Sequence, residues 1–523
     1  MSEHRVVVVG AGIGGLVCAL QLACRGLPVT LVEAAPGPGG KLRSLRVDGA
    51  DIDAGPTVFT MRGVFEDIFA EAGASLSASL PLAPLNVLAR HAWRGHPATL
   101  DLLADGERSS EAVGRFAGAE EARRFDAFRA EARRLLDTLE GPYIRSARPT
   151  PAGIIGDLGL RGLAVLAALG PFATLAGTLA RRFRDPRLQQ LFNRYATYCG
   201  ASPWSAPATL MLVAQVEMDG VWTLRGGMHA LARALADLAA QRGVQLRYGT
   251  HCERILVRHG RAAGVVLEGG ETLEADSVVF NGDSQALASG LLGDDASRAV
   301  KPMPRAARSL SALTWAMHVR AQGFPLVRHN VFFDDDYASE FDDILRRRQL
   351  PRRGTVYLCA QDRGDGGEPI EGRERLLALV NAPPEGDRRA FDEQEIAPCE
   401  HRSWTLMRDC GLVLSSTPQQ VQCTTPADFH RLFPATGGAL YGMATHGWTA
   451  VFKRPGSQAR LPGLYLCGGS VHPGPGLPMA AMSGRLAAAT LLAHLGSTSR
   501  SPRVVISGGT STRSATMAGM RSP

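Results

Sequence analysis

The sequence predicts an α/β protein with at least two domains, the first of them Rossmann-like. Its 523 residues exceed the usual size of a single hydrophobic core. Near the amino terminus, a strand of four valines leads directly into a glycine-rich turn, an order that opens a βαβ unit. Farther along, helical patterning alternates with groups of short strands. We therefore expect one domain with a parallel sheet and a second domain with a mixed sheet.

The βαβ unit occupies the first 33 residues. Arg5–Val9 is a buried strand, Ala11–Gly15 a glycine turn, Leu16–Arg25 a helix and Val29–Glu33 a second strand. The apolar run at the amino terminus is too short for a signal peptide, so we expect no export.

The remaining elements follow in five stretches. In chain order they are helices over Ser109–Ala201, a turn and helix over Trp222–Gly243, short strands over Gln245–Asp283, strands with polar loops over Leu313–Val421, and a strand, Gly/Pro turn and helix over Leu464–Leu495. Residues 497–523 are rich in Ser, Thr, Gly and Arg, which predicts a disordered basic tail.

Composition excludes several kinds of site. The nine cysteines include no Cys-x-x-Cys pair and no Cys/His cluster at zinc spacing, so we expect neither a metal site nor a disulfide framework. The formal charge of +7 is a modest surplus, which suits an anionic cofactor or an anionic membrane surface. We expect no nucleic-acid partner.

The strongest chemical signal is Gly10-x-Gly12-x-x-Gly15, placed between a strand and a helix. Gly10 permits the tight turn, Gly12 lets the backbone approach a pyrophosphate, and Gly15 allows the helix to pack closely on the strand. The helix N-terminus offers free N–H groups to the phosphates. Glu33, at the end of the second strand, is placed to bind a ribose hydroxyl. The pattern therefore predicts a dinucleotide site.

A second glycine turn, Gly37-Pro38-Gly39-Gly40-Lys41, favours FAD over NAD. The stretch from Val6 to Thr57 resembles the FAD-binding opening of the amine oxidase and phytoene desaturase superfamily. The block Gly220–Met228 is similar to that superfamily as well, and Gly463–Met479 resembles the carboxy-terminal signature of bacterial carotenoid desaturases. Its Pro475 and Pro478-Met479 are similar to the branch that introduces a 3,4 double bond into 1-hydroxy or 1-methoxy acyclic carotenoids.

The resemblance implies that three separated segments hold FAD. The residues that match those segments are Gly10, Gly12, Gly14, Gly15, Glu33, Gly40 and Lys41 in the first, Cys252 in the second, and Gly468, Gly469 and Met479 in the third. Cys252 stands where the family meets the adenine, although an ordinary buried strand cysteine is an alternative. Gly469 replaces an acid that related oxidases carry, and carotenoid desaturases share that loss.

Flavin chemistry asks little of protein side chains, because the cofactor takes a hydride while the protein orients the substrate and excludes water. We nominate His472 as the catalytic side chain at the flavin, with the alternative that it braces the Pro-Gly turn through hydrogen bonds. Arg225 either approaches the flavin or substrate or is a surface residue. No second Gly-x-Gly-x-x-Gly unit is visible, which favours oxygen or a quinone over a nicotinamide as electron acceptor.

A membrane contact is expected because carotenoids dissolve in the bilayer. Gly162–Ala180 carries no charge and is flanked by Arg161 and Arg181-Arg182, but Gly170, Pro171 and Gly177 break it. We therefore expect a monotopic helical insertion near 155–185 on the cytoplasmic side. Buried core helices and a true span are the alternatives.

These observations predict an FAD domain formed by residues 1–65, 215–290 and 455–496, and a substrate domain formed by 66–214 and 291–454. The resemblance implies desaturation at C3–C4 of acyclic carotenoids such as 1-hydroxyneurosporene, in spheroidene-type carotenoid biosynthesis. A multi-step phytoene desaturase, a redox-neutral carotenoid isomerase and a flavin-stabilised carotenoid carrier are the alternatives.

Overall fold

A computed structural model describes residues 4–147, 172–364 and 370–499, and between the first two ranges also 150, 153, 156–159, 162, 164 and 170. The strands of the described part are β1 (Val6–Val9), β2 (Val29–Val32), β3 (Ser44–Val47), β4 (Ala50–Asp53), β5 (Leu82–Pro84), β6 (Val87–Trp93), β7 (Leu100–Leu103), β8 (Trp222–Leu224), β9 (Gln245–Arg247), β10 (Cys252–Arg258), β11 (Arg261–Leu267), β12 (Thr272–Glu274), β13 (Ser277–Phe280), β14 (Ser311–Gln322), β15 (His329–Phe333), β16 (Val356–Ala360), β17 (Glu374–Ala382), β18 (Val413–Ser415), β19 (Val421–Thr424) and β20 (Leu464–Leu466).

Helices connect these strands or cover the sheets. Those of the described part are α1 (Ile13–Ala23), α2 (Arg62–Glu71), α3 (Leu76–Ser79), α4 (Gly106–Ala117), α5 (Ala119–Leu139), α6 (Leu175–Arg182), α7 (Pro186–Asn193), α8 (Leu212–Met218), α9 (His229–Gln241), α10 (Ser284–Ala288), α11 (Asp294–Ser297), α12 (Tyr337–Phe341), α13 (Glu393–Asp409), α14 (Pro426–Leu432) and α15 (Leu477–Ser499).

The first sheet is parallel throughout and has the strand order β20-β13-β1-β2-β9. Its central strand β1 is a run of valines because both faces of a parallel sheet are covered by other elements. Helix α1 returns the chain from β1 to β2 and packs against α9 and α15. Strands from three distant parts of the sequence thus meet side by side.

The second sheet is mixed and has the order β18-β14-β17-β16-β15-β6-β7, with β19 also pairing with β14. Most neighbours are antiparallel, while β15 and β6 run parallel. Helices α5, α6, α7 and α8 share one core with a face of this sheet. Phenylalanine rings in stacked or tilted contact join α5, the turn after α6 and α7: Phe125, Phe128, Phe183 and Phe192. The mixed α/β fold predicted from the sequence is confirmed.

Two predictions fall partly outside the described residues. Of the expected membrane insertion near 155–185, positions 155, 160, 161, 163, 165–169 and 171 lie outside them. Its last turns form α6, where Leu175 and Leu179 are buried in the protein core. At the carboxyl end, α15 continues to Ser499, into the first residues of the predicted tail, and residues 500–523 lie outside the described part. In that described part, none of the helices combines the length and apolar character needed to cross a bilayer.

Candidate active site

A cavity of about 1320 Å³ lies between the two sheets. It extends from the glycine turn after β1 to the face of the second sheet that carries Tyr357, Leu377 and Leu379. Single small-molecule sites usually have about 300–1,000 Å³. The space is therefore large enough for more than one ligand.

The first glycine turn is shaped by contacts that exclude side chains. A Cβ on Gly15 would lie 2.1 Å from the carbonyl oxygen of Gly10, and one on Gly14 would lie 2.8 Å from the amide nitrogen of Gly468. Gly10 itself has a φ of +100°, which favours glycine. Gly10, Gly12 and Gly14 line the cavity, whereas Gly15 lies behind them against β1.

The second glycine turn packs directly on the first. The amide of Gly39 donates to the Ala11 carbonyl at 2.9 Å, and a Cβ on Gly40 would lie 3.2 Å from the Cα of Gly12. Lys41 follows and lines the cavity, with its Nζ donating to the Leu440 carbonyl at 2.6 Å. Burial lowers the pKa of Lys41. The two turns form a backbone cradle that fits a pyrophosphate.

Glu33 lines the same end of the cavity. Its carboxylate accepts hydrogen bonds from the amides of Ala11 at 2.7 Å and Ala35 at 2.8 Å. A carboxylate has about four acceptor positions, so acceptor capacity remains for a ribose hydroxyl. This position, beside the glycine turn and at the end of β2, fits the ribose of a dinucleotide.

Cys252 begins β10 and lines the cavity near Glu33. The backbone connects the segment before Cys252 to Glu33, because the Thr250 amide donates to the Glu33 carbonyl at 2.8 Å. Burial raises the pKa of the Cys252 thiol to about 12. The Cys252 thiol is therefore uncharged at neutral pH, so it lines the cavity and does not act as a nucleophile.

The third predicted segment closes the cradle from the opposite side. Gly468, Gly469 and Met479 all line the cavity. The Gly468 amide donates to Ser483 Oγ at 2.7 Å, which ties the turn to α15. The N-terminal turn of α15, which includes Met479, thus faces the same space as the N-terminus of α1.

Two nominated residues lie elsewhere. His472 is buried behind the lining, with its Nε2 at 2.8 Å from the Ser146 carbonyl and its ring edge-on to Tyr143. Burial lowers the pKa of His472 to about 4. Arg225 is exposed, and its amide donates to the Pro81 carbonyl.

Asn281 is a residue that the motif analysis missed. Its Nδ2 donates to the Gly10 carbonyl at 3.1 Å, and its side chain packs against Gly12, Gly14 and Gly15. It fixes the first glycine turn from β13, the neighbouring strand. The only sequence signal is its position directly after the buried strand Ser277–Phe280.

A polar cluster interrupts the apolar wall of the cavity. Tyr198 and Tyr195 donate to the two carboxylate oxygens of Glu217 at 2.8 and 2.7 Å, and Arg194 donates to the Tyr198 hydroxyl at 3.3 Å. Burial raises the pKa of Glu217. Tyr357, on the second sheet, contributes a hydroxyl at 2.6 Å from Thr57 Oγ1. Of these residues, only Thr57 belonged to a motif.

Other proteins resemble this chain in sequence or in fold. Residues 13–492 match the family of flavin-containing amine oxidoreductases. A hydroxyneurosporene desaturase of Rubrivivax gelatinosus is 68% identical over 520 residues, covering 99% of each chain. A protein of the same name from Cereibacter sphaeroides is 48% identical, covering 95% of this chain and 99% of its own. An oxidoreductase structure from Methanosarcina mazei has a TM-score of 0.60 at 16% identity, covering 94% of this chain and 100% of its own.

Proposed function

Since this chain belongs to the family of flavin-containing amine oxidoreductases and uses FAD, we propose that it introduces the C3–C4 double bond into 1-hydroxy and 1-methoxy acyclic carotenoids such as 1-hydroxyneurosporene. The observation that carries this proposal is the cavity, which joins a dinucleotide cradle to a long apolar sheet face. The printed names of the two bacterial relatives support the same substrate class.

We assign FAD to the cradle between the two sheets. Gly10, Gly12 and Gly14 would approach the pyrophosphate, Glu33 the ribose, Gly40 and Lys41 the ribityl end, Cys252 the adenine, and Gly468, Gly469 and Met479 the flavin, with Gly15 supporting the turn. The domain division at 1–65, 215–290 and 455–496 for FAD and 66–214 and 291–454 for the substrate belongs to the same proposal.

When bound, FAD supplies the acceptor for the hydride that leaves the substrate. The protein has two tasks: the apolar face with Leu377 and Leu379 holds the polyene and excludes water, and polar groups fix its position. Loss of a hydride next to a polyene leaves a delocalised cation, so a weak base suffices for the neighbouring proton. We assign His472 to holding the turn, because its Nε2 meets the Ser146 carbonyl.

Because acyclic carotenoids dissolve in the bilayer, we expect the protein to take its substrate from a membrane. We propose a peripheral attachment at the cavity mouth, where the exposed rings of Phe172 and Trp448 meet edge to face at 6.4 Å. Trp448, Gly170 and Ala173 also line the cavity, so a lipid-dissolved chain could enter there. Oxygen or a membrane quinone would then reoxidise the flavin.

The substrate assignment is tested with purified protein, FAD and liposomes that contain phytoene, neurosporene or 1-hydroxyneurosporene. We expect 1-hydroxyneurosporene to gain one conjugated double bond, seen as a shift of its absorption to longer wavelength, and neurosporene to react much more slowly. Protein stripped of FAD is the control.

Other outcomes would contradict the proposal in distinguishable ways. Efficient conversion of colourless phytoene without preference for the hydroxylated substrate indicates a phytoene desaturase. A geometric isomer formed without net oxidation indicates an isomerase, and tight binding without turnover under any acceptor indicates a carrier.

A further inference from the structure

Arg194 places a cation in an apolar part of the cavity. It begins the 3₁₀ turn Arg194–Cys199, and its guanidinium lies over the rings of Tyr198 and Tyr357, at 5.3 and 5.2 Å from their centroids. A guanidinium has five N–H donors and no acceptor. Within the described part of the chain, the Arg194 guanidinium makes one hydrogen bond, the 3.3 Å contact from Nη1 to the Tyr198 hydroxyl.

The other long cations of the cavity wall donate to protein oxygens at shorter distances. Arg454 donates to the carbonyls of Tyr441 and Met443 at 3.0 and 2.6 Å. Lys41 donates to the Leu440 carbonyl at 2.6 Å, and Arg43 donates to Thr424 Oγ1 at 3.2 Å. The remaining guanidinium donors of Arg194 have no protein acceptor among the described residues, and because Arg194 lines the cavity, a ligand oxygen there can accept from them.

The charge of Arg194 is balanced by its own cluster. Tyr198 accepts from Arg194 and donates to Glu217, whose second oxygen accepts from Tyr195. Glu217 is buried, and the hydroxyls of Tyr195 and Tyr198 hold its carboxylate in place. This arrangement keeps a fixed cation at the cavity wall without an anionic ligand. A neutral acceptor, such as an alcohol or ether oxygen, suits it.

We propose that Arg194 binds the C1 oxygen of the carotenoid and so determines specificity for the oxygenated end, an inference that rests on the proposed function above. The C1 oxygen is only three covalent bonds from C3, so its partner must lie close to the reacting carbons. Arg194 is connected to the proposed FAD cradle through Tyr357: its guanidinium lies over the Tyr357 ring, and the Tyr357 hydroxyl is 2.6 Å from Thr57, which ends the stretch that resembles the FAD-binding opening. A group that only donates binds hydroxyl and methoxyl oxygens equally well.

Tyr337 is the competing donor. Its hydroxyl is buried without a hydrogen-bond partner among the described residues, and the side chain lines the cavity. Tyr337 lies near Glu340, which binds Thr355 and Asn381. Thr355 precedes Tyr357 by two residues and Asn381 follows its register partner Leu379 by two, so both lie toward the same end of the sheet face. That end is roughly 7 Å from Tyr357 along the strands. That distance favours Arg194.

The test compares Arg194→Met with Tyr337→Phe as the matched control, in liposomes loaded with neurosporene, 1-hydroxyneurosporene or its methoxy analogue. The readout is the ratio of kcat/KM for each oxygenated substrate to that for neurosporene. Loss of a hydrogen bond from a charged donor corresponds to about 10- to 100-fold. We expect R194M to lower both ratios by that factor, through KM, and Y337F to leave them unchanged.

FAD content and the thermal midpoint are measured alongside. R194K, which retains a cationic donor, should keep part of the preference if the proposal holds. Unchanged ratios in R194M, or a loss confined to Y337F, would overturn it. Loss of FAD from both R194M and R194K would also overturn it, because Arg194 would then belong to the cofactor site. If the parent protein shows no preference for oxygenated substrates, the proposed function itself fails, whatever the variants do.

Discussion

At the scale of single residues, Glu33 connects the first glycine turn to the end of β2. Its carboxylate holds the Ala11 amide inside the turn and the Ala35 amide beyond it. We expect Glu33→Ala to raise the dissociation constant of FAD about tenfold or more, since a charge-assisted hydrogen bond contributes about 1.5–3 kcal/mol. A dilution series that follows flavin fluorescence measures this constant.

The matched control for this change is Glu253→Ala. Glu253 is exposed and follows Cys252, so it has the same charge near the same end of the cavity but does not line it. We expect this variant to bind FAD like the parent. If Glu33→Ala retained FAD as tightly as Glu253→Ala, the assignment of Glu33 to the ribose would be wrong.

The residues that sequence reasoning could find are those within short motifs. Gly10, Gly12 and Glu33 follow one another within one βαβ unit, and Gly40 lies in the turn directly after it, so local spacing decides which backbone atoms meet. Asn281 lies 271 residues from Gly10, with which it forms a hydrogen bond, and only the parallel pairing of β13 with β1 brings them together. Arg194 becomes a candidate substrate-binding residue only once the structure shows that it lines the cavity.

At the scale of elements, the first βαβ unit was predicted almost residue by residue, because each of its strands is a short apolar run between turn residues. The helix is the exception: Leu16–Arg25 was predicted, and α1 begins at Ile13. Gly14 and Gly15 were interpreted as turn residues but form the first turn of the helix. Tertiary contacts explain why glycines stand here, since Ala480 of α15 and the Gly10 carbonyl leave no room for side chains at these two positions.

The close approach of α15 to α1 gives an element-scale prediction. A Cβ on Gly484 would lie 2.2 Å from the Gly14 carbonyl oxygen. We expect Gly484→Ala to push the helices apart, to destabilise the protein by about 1–3 kcal/mol and to loosen FAD, because both helix N-termini line the cradle. Thermal unfolding with and without added FAD measures both effects.

Gly496 on the same helix is the control. Among the described residues, a Cβ there would meet nothing within 4 Å, so Gly496→Ala should be neutral or stabilise the helix by up to about 1 kcal/mol. Equal thermal midpoints for the two variants would contradict the packing argument.

At the scale of the whole molecule, the cavity reaches the surface beside exposed aromatic side chains. Phe172 is 78% exposed and Trp448 48% exposed, and their rings are in contact. The sequence leads us to expect membrane contact near 155–185; within that stretch Leu175 and Leu179 are buried in the protein core, whereas Phe172 is exposed. Of the described residues, Phe172 and Trp448 are therefore the better placed to enter a lipid surface.

This placement predicts how the protein binds membranes. Burying a large apolar side chain contributes about 1.5–3 kcal/mol, so the double variant Phe172→Ser/Trp448→Ser should partition into liposomes at least about tenfold less than the parent. Both rings are exposed, so their loss should leave FAD bound, which flavin absorbance verifies. Val413→Ser is the control, because Val413 is 47% exposed on the edge strand β18, away from the cavity. We expect this control to float with liposomes like the parent. Equal flotation of all three proteins would move the membrane contact away from the cavity mouth, and with it the proposed entry of the substrate.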